Sequence, residues 1–334
     1  MLVLASIVFD GPPGDLRGHR REPRGAPKTC RCGSSSRDAR GARVLGGVLP
    51  GMPWPLPWPF DRSSLQLALV AGIVVGATAP LIGVFVVQKG MSLLGDGIGH
   101  VAVAGIGASL LMGTSPTWTA LVVAIAAALL IEFLRSRGNA TGDLALALVF
   151  YGGIAAGVVL ASRSATNTNL QPYLFGSILT ANANDVWTIV GLGAGIAVAM
   201  AFAGRALFAV VLDEDSARVA GVPARALNAL LAVLTAVTVV AAMRIVGVLL
   251  VAALMVLPVA TSRLLARSFR GTLVLAVVFG VLSAVLGLFA ARQWALAAGG
   301  AIVLVAAALF ALASIVVGAR RAGAQADSIL SGPH

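Results

Sequence analysis

Few side chains in this sequence can do chemistry, and two that can stand four residues apart. Asp96 and His100 lie in the stretch Met-Ser-Leu-Leu-Gly-Asp-Gly-Ile-Gly-His-Val, residues 91–101. An i,i+4 spacing puts both on one face of a helix. A carboxylate beside an imidazole is a borderline-hard donor pair that suits zinc, manganese or ferrous iron. A closed structural zinc site takes four ligands, so a pair is half a site. Low coordination suits a station that must release its ion. Beyond the first fifty residues, the only other histidine is the terminal His334. The same two residues admit plainer roles: Asp96 capping a helix start, His100 packing with its hydrogen bonds satisfied, or the pair relaying a proton.

The remaining polar groups point elsewhere. Glu132 and Asp143 stand close in sequence to Arg135 and Arg137 and read as salt-bridging residues at helix ends. Arg244, between two apolar runs, reads as facing an interface, and Asn167, Asn169, Asn182 and Asn184 as solvated turns. The two cysteines, Cys30 and Cys32, both lie in the first fifty residues. The rest of the chain therefore has neither a thiolate metal site nor a cysteine nucleophile. A GxxxxGK[ST] loop is absent, so this chain does not bind ATP through a P-loop, and GxSxG and HExxH are absent too.

The elements that must position Asp96 and His100 follow from composition. Of 334 residues, 58% are hydrophobic and 11% charged, and mean hydropathy is +0.95. Soluble chains run at about 45–50% apolar and about 25% charged. These values exclude a soluble enzyme, a disordered chain and a nucleic-acid-binding domain. The net charge of +11 does not restore the last, because the basic residues punctuate long apolar runs, as loops of membrane proteins do.

Nine runs are long enough to cross about 30 Å of hydrocarbon: Leu65–Val87, Met91–Met112, Trp118–Leu134, Leu144–Ala161, Val186–Ala203, Leu227–Ala242, Ile245–Thr261, Leu273–Ala291 and Trp294–Val317. Lipid offers no partner to free backbone groups, so they are helices. The expected fold is an all-α polytopic membrane bundle of about nine transmembrane helices. Gly72/Gly76 and Gly153/Gly157 have the GxxxG spacing of close helix contacts, and Pro80 and Pro258 are expected to kink their spans.

Residues 1–51 form a different segment, with nine Lys/Arg, four Asp/Glu and no helical apolar period. We expect Met52 or a nearby codon to be the working start, 52–64 to be an interfacial segment rich in Trp and Pro, 65–318 the transmembrane part and 319–334 a cytoplasmic tail. Beyond the leader, eleven basic residues (Lys89, Arg135, Arg137, Arg205, Arg218, Arg225, Arg263, Arg267, Arg270, Arg320, Arg321) fall on one face and four (Arg62, Arg163, Arg244, Arg292) on the other. The positive-inside rule makes the first face cytoplasmic and places the C-terminus there. On the outer face, 162–185 are expected to hold a short surface or re-entrant helix around Tyr173–Leu179. On the inner face, 204–226 are expected to form a short exposed helix, capped by Asp213 and Asp215 and stopped by Gly221 and Pro223.

Four stretches together resemble the permease subunit of bacterial zinc/manganese/iron ABC importers, the ABC-3 family. They are MSLLGDGIGHVAVAG (91–105), GDLALALVFYGGIAAGV (142–158), YLFGSILTAN (173–182) and DEDSARVAGVPARALN (213–228), the last followed by MRIVGVLLVAALMVLPVATSRLL (243–265). The resemblance implies that Asp96 and His100 match the family's intramembrane metal-coordinating pair. It implies that 213–222 match the coupling helix that docks on the ATPase, so Asp213, Glu214, Asp215, Ala217, Arg218 and Gly221 carry the coupling. Implied partners are cytoplasmic ATPase subunits, an extracytoplasmic metal-binding protein and a second permease copy in the plasma membrane. The expected cargo is Zn²⁺, which imidazole suits, with Mn²⁺ close behind and Fe²⁺ admitted by the same site, and no permanently held cofactor is expected. The family often has Ser where this chain has Gly99. Outside the resemblance, a secondary metal or proton carrier, or an intramembrane enzyme using Asp96 and His100, fits the same pair.

Overall fold

The computed structural model describes residues 63–136, 142–163, 183–294 and 296–330, together with Leu174 and Gly176. The chain divides into the units Met1–Trp54 and Pro55–His334. The leader, Cys30, Cys32, Met52, Arg62, Arg137 and most of 162–182 lie outside the described residues.

The described part of the second unit is helical. Its elements are α1 (Ser63–Gln88), α2 (Leu94–Met112), α3 (Pro116–Ser136), α4 (Gly142–Arg163), α5 (Ala183–Leu212), α6 (Glu214–Val219), α7 (Ala224–Met243), α8 (Val248–Leu265), α9 (Phe269–Gln293) and α10 (Ala298–Leu330). All but α6 correspond to the nine expected spans. Seven are long and apolar enough to cross a membrane, and α4 and α8 contain shorter apolar stretches, Leu144–Leu160 and Leu250–Leu265.

The ends of the spans differ from expectation in three places. The fifth runs on to Leu212, because Arg205 alone does not interrupt its pattern and Leu207 and Val210, three residues apart, are buried. Asn184 thereby belongs to the first turn of α5, where its carbonyl accepts from Thr188, rather than to a solvated turn. The last span starts at Ala298, since Trp294 terminates α9, and continues as helix to Leu330, into the segment expected to be a tail.

α1 and α2 each pack on α7 and α8, which pack on each other, with α3, α4, α5, α9 and α10 around them. Two-thirds of the apolar window is buried in α1, α2 and α7 (67%), against 17% in α5 and 22% in α10. The outer helices expose Phe202, Leu304 and Ile315, a surface that suits hydrocarbon and not water. Polar residues inside the helices are absorbed locally. Thr78, Ser109, Thr235, Thr238, Thr261, Ser262 and Ser283 each donate to a carbonyl three or four residues back, at 2.6–2.8 Å. Such back-bonding satisfies each hydroxyl's proton where lipid or core cannot.

Small residues set the helix spacing. A Cβ on Gly280 would sit 2.1 Å from the Gly76 carbonyl oxygen and 2.4 Å from Pro80 Cγ, and one on Gly153 2.4 Å from Val101 Cγ2. Both GxxxG pairs thus serve contacts within the chain, α1 against α9 and α4 against α2. Overpacking costs about 1–3 kcal/mol. Gly280→Ala should therefore lower the thermal unfolding midpoint in detergent. Gly195→Ala, where a Cβ meets nothing within 4 Å, should hold or raise it, since Gly in a helix is about 1 kcal/mol less favourable than Ala. Equal midpoints for the two variants would refute this packing.

Candidate metal centre

A tight reversal delivers α2. Gly90, at φ +75°, donates to the Val87 carbonyl at 3.1 Å, and Met91 donates to that of Val86 at 3.0 Å. A glycine in the left-handed region is the usual way to end a helix and satisfy its last carbonyls. α2 then starts at Leu94, with Asp96 and His100 in its first two turns. Its N-cap residue is Leu93, which makes no side-chain cap bond. Asp96 is therefore not the cap. Its charge complements the N-terminal end of the helix dipole, and its carboxylate faces His100.

His100 Nε2 lies 3.8 Å from Asp96 Oδ1. That is too long for a hydrogen bond. It is within the reach of one shared ion, since two metal–ligand bonds of about 2.0–2.2 Å span up to about 4.2 Å. The imidazole stands edge-on to Phe150 of α4, centroids 4.8 Å apart and planes at 77°, which orients the ring. Both side chains stay partly open, 22% exposed for His100 and 32% for Asp96. Among the described residues no three His, Cys, Asp or Glu gather where they could hold an ion. One chain thus brings two donors to this point.

The glycines beside the pair serve packing. A Cβ on Gly95 would meet Met255 Sδ at 3.1 Å, one on Gly97 would meet Leu146 Cδ1 at 2.7 Å, and one on Gly99 Val248 Cγ1 at 3.2 Å. They draw α2 onto α8 and α4. The serine that the family often has before the histidine would here press on Val248, so the departure at Gly99 changes packing against α8.

The short helix α6 is built as its sequence requires. The Asp213 carboxylate accepts from the backbone N–H groups of Asp215 and Ser216 at 3.0 and 3.1 Å and from the Ser216 hydroxyl at 2.5 Å. The Ser216 hydroxyl, then its N–H, hold Asp213 below the usual carboxylate range. Ala220 closes the helix, followed by Gly221 at φ +81° and by Pro223. Asp215 does not share the capping: it is almost fully exposed, with Arg218 Nη1 3.8 Å away.

The residues expected to face a docking partner divide between two faces. Ala217 is buried, and Glu214 turns toward the bundle, whereas Asp215, Arg218 and Gly221 are exposed. Val219, 89% exposed, joins that outward face. Sequence reasoning passed over it because one valine in a short helix carries no periodic signal.

Glu214 is the centre of a charged node. Its carboxylate accepts from Arg218 Nη2 at 2.5 Å and lies 3.5 Å from Lys89 Nζ. Lys89, only 8% exposed, donates in turn to Asn228 Oδ1 on α7. Beside them Arg135 Nε donates to Glu132 at 3.2 Å, as the sequence suggested, and Arg135 Nη1 reaches Met91 Sδ at 3.6 Å. Burial, then Arg135, hold Lys89 below the ordinary lysine value, while Glu214 and Glu132 oppose them. Burial pushes Glu214 up, but its hydrogen bond with Asn228 and the charges of Lys89, Arg135 and Arg218 outweigh it and keep the carboxyl below its ordinary value. The node ties α6 to α3, α7 and the turn that launches α2. Lys89 and Asn228 were not singled out from sequence, although Lys89 is one of only two lysines in the chain.

At the opposite end of α7, Arg244 donates to Asp185 on α5 at 2.8 Å and to Thr117 on α3 at 3.4 Å. It is a partly buried tie between three helices, not a free interfacial charge. The turn after it is held closely: a Cβ on Gly299 would fall 1.8 Å from the Val246 carbonyl oxygen, and one on Gly176 2.2 Å from that of Ile245.

Known proteins resemble this chain in sequence and fold. The ABC 3 transport family matches residues 61–317. The chain is 34% identical over 259 residues to the manganese transport system membrane protein MntC of Halalkalibacterium halodurans, covering 76% of this chain and 89% of that one. It is 31% identical over 257 residues to the chelated iron transport system membrane protein YfeD of Yersinia pestis, covering 77% and 86%. The solved structure of PsaBC from Streptococcus pneumoniae in complex with Fab superposes with a TM-score of 0.69 at 33% identity, over 76% of this chain and 91% of that one. The match spans the helices that carry Asp96, His100 and the charged node, and the chain belongs to the ABC 3 transport family.

Proposed function

We propose that the chain is the membrane permease of an ATP-driven importer of a divalent transition metal, with manganese as the first cargo and iron next. The observation that carries this is the open Asp96–His100 pair, 3.8 Å apart on α2, in a chain of the ABC 3 transport family. Imidazole alone would favour zinc, the first expectation from sequence. The aspartate, the lack of cysteine in the helices and the printed names of the relatives favour a harder ion. Family membership favours this reading over an autonomous carrier or an intramembrane enzyme.

Two copies of the chain would bring Asp₂His₂ to one ion. An extracytoplasmic metal-binding protein would deliver it, and the helices would rock between outward and inward openings. A separate cytoplasmic ATPase would dock on the exposed face of α6, on Asp215, Arg218 and Val219, and the cytoplasmic end of the bundle would be the one that carries α6.

Uptake of labelled Mn²⁺ in cells with and without the chain, competed by Fe²⁺ and Zn²⁺, tests this. Manganese accumulation should fall several-fold without the chain and be blocked more strongly by Fe²⁺ than by Zn²⁺. Unchanged accumulation of all three metals would overturn the proposal.

A further inference from the structure

A cavity of about 700 Å³ opens between α1, α5 and the start of α9, and neither Asp96 nor His100 lines it. Phe85, Phe208 and Phe269 line it, with Phe269 edge-on to Phe85 at 5.4 Å and tilted on Phe208 at 4.3 Å. Leu81, Met200 and Leu273 add apolar wall. Two cations, Arg205 and Arg270, also line it, both exposed. No acidic residue is among its lining, and among the described residues neither arginine has a carboxylate within 4 Å.

The chemistry is that of an amphiphile site. The apolar wall takes hydrocarbon. The guanidinium groups offer planar, paired donors that match a phosphate. Arg205 lies two turns before the end of α5, where Asp213 caps α6, and Arg270 is the second residue of α9. Arg270 thus stands in the first turn of its helix and Arg205 two turns from the end of its own, where a headgroup could reach both. Basic pockets between transmembrane helices hold anionic headgroups for this reason. The volume lies within the range of about 300–1,000 Å³ of small-molecule sites, enough for a headgroup and the first part of its chains. A zwitterionic lipid would bring its own cation to two arginines that have no carboxylate within 4 Å among the described residues.

We propose that this cavity binds an anionic phospholipid, its phosphate between Arg205 and Arg270 and its upper acyl chains against Phe85, Phe208 and Phe269. The inference rests on the membrane-spanning fold and not on which metal is carried.

The test is native mass spectrometry of the full chain in detergent with added phosphatidylglycerol or phosphatidylcholine. The wild-type chain should retain phosphatidylglycerol at least tenfold better. Arg205→Gln/Arg270→Gln should remove the preference, and since both side chains are exposed, folding should be unaffected. Ala201→Trp, which fills the cavity and leaves both charges, should also remove retention. Three results would each overturn the proposal: no lipid preference in the wild type, a preference that survives both variants, or displacement by millimolar inorganic phosphate as effective as displacement by phosphatidylglycerol.

Discussion

Cells carrying Asp96→Ala or His100→Ala are expected to import metal no faster than cells without the chain, while the variant protein reaches the membrane in normal amount. The reason is the division of labour around the pair. Packing at this part of α2 is carried mainly by Gly95, Gly97 and Gly99 on their neighbours. Asp96 is not the cap, its effect on the helix dipole is worth about 0.3–1 kcal/mol, and the His100 edge contact with Phe150 about 0.5–1.5 kcal/mol. Asp96 and His100 face each other at 3.8 Å and stay partly open. Truncation removes donors and little else. A partner that only orients a metal ligand is worth about 10–100-fold, and a ligand itself should be worth more. With two copies, each substitution deletes two of four donors. Asp96→Glu, which keeps the carboxylate and moves it by one methylene, should retain part of the uptake. Wild-type uptake in either alanine variant would remove the pair from the transport path. Loss of protein from the membrane would instead make it structural.

Much of this was legible in the sequence, and the parts that were not share a cause. The nine long helices follow from apolar length alone. Asp96 and His100 follow from their rarity in apolar surroundings together with a helical spacing. The α6 signals at Asp213, Gly221 and Pro223 are local, and they were realised within a residue or two. Of the charged node, the local Glu132–Arg135 pair was legible, but the links from Lys89 to Glu214 and Asn228 were not, because only the tertiary fold brings residues 89, 214 and 228 together. Arg244 misled for the same reason, since its partner Asp185 is 59 residues away. The fifth span was drawn nine residues short because a charge at 205 looked like a boundary. Arg205 is long enough to keep its head in water while its stem lies along the helix, so one arginine does not end a span.

Breaking the charged node from one side should disturb the protein more than removing it whole. Glu214→Ala would leave Lys89, only 8% exposed, with Arg135 beside it and Glu132 alone to oppose. Removing one partner of a buried pair costs about 3–5 kcal/mol, whereas replacing both with apolar groups of similar volume is often neutral. Glu214 is itself 29% exposed, so the lower end of that range applies. Glu214→Ala should lower the thermal midpoint clearly, and Lys89→Met/Glu214→Leu should restore most of it. Acidification should weaken the node in the wild type as well. The Glu214 carboxyl is held below its ordinary value of 4.5, so its contribution is present above that value and is lost as the pH falls through the depressed one. Transport should behave differently from stability. If α6 docks an ATPase as proposed, the double variant should fold and still bind it, because Asp215, Arg218 and Val219 on the outward face are unchanged. On the proposed coupling it should still move at least tenfold less metal per ATP hydrolysed, since the contact from α6 through Lys89 to the turn before α2 would be gone. A double variant that recovers both stability and wild-type transport would show that Lys89 and Glu214 only fasten α6 and carry none of the proposed coupling.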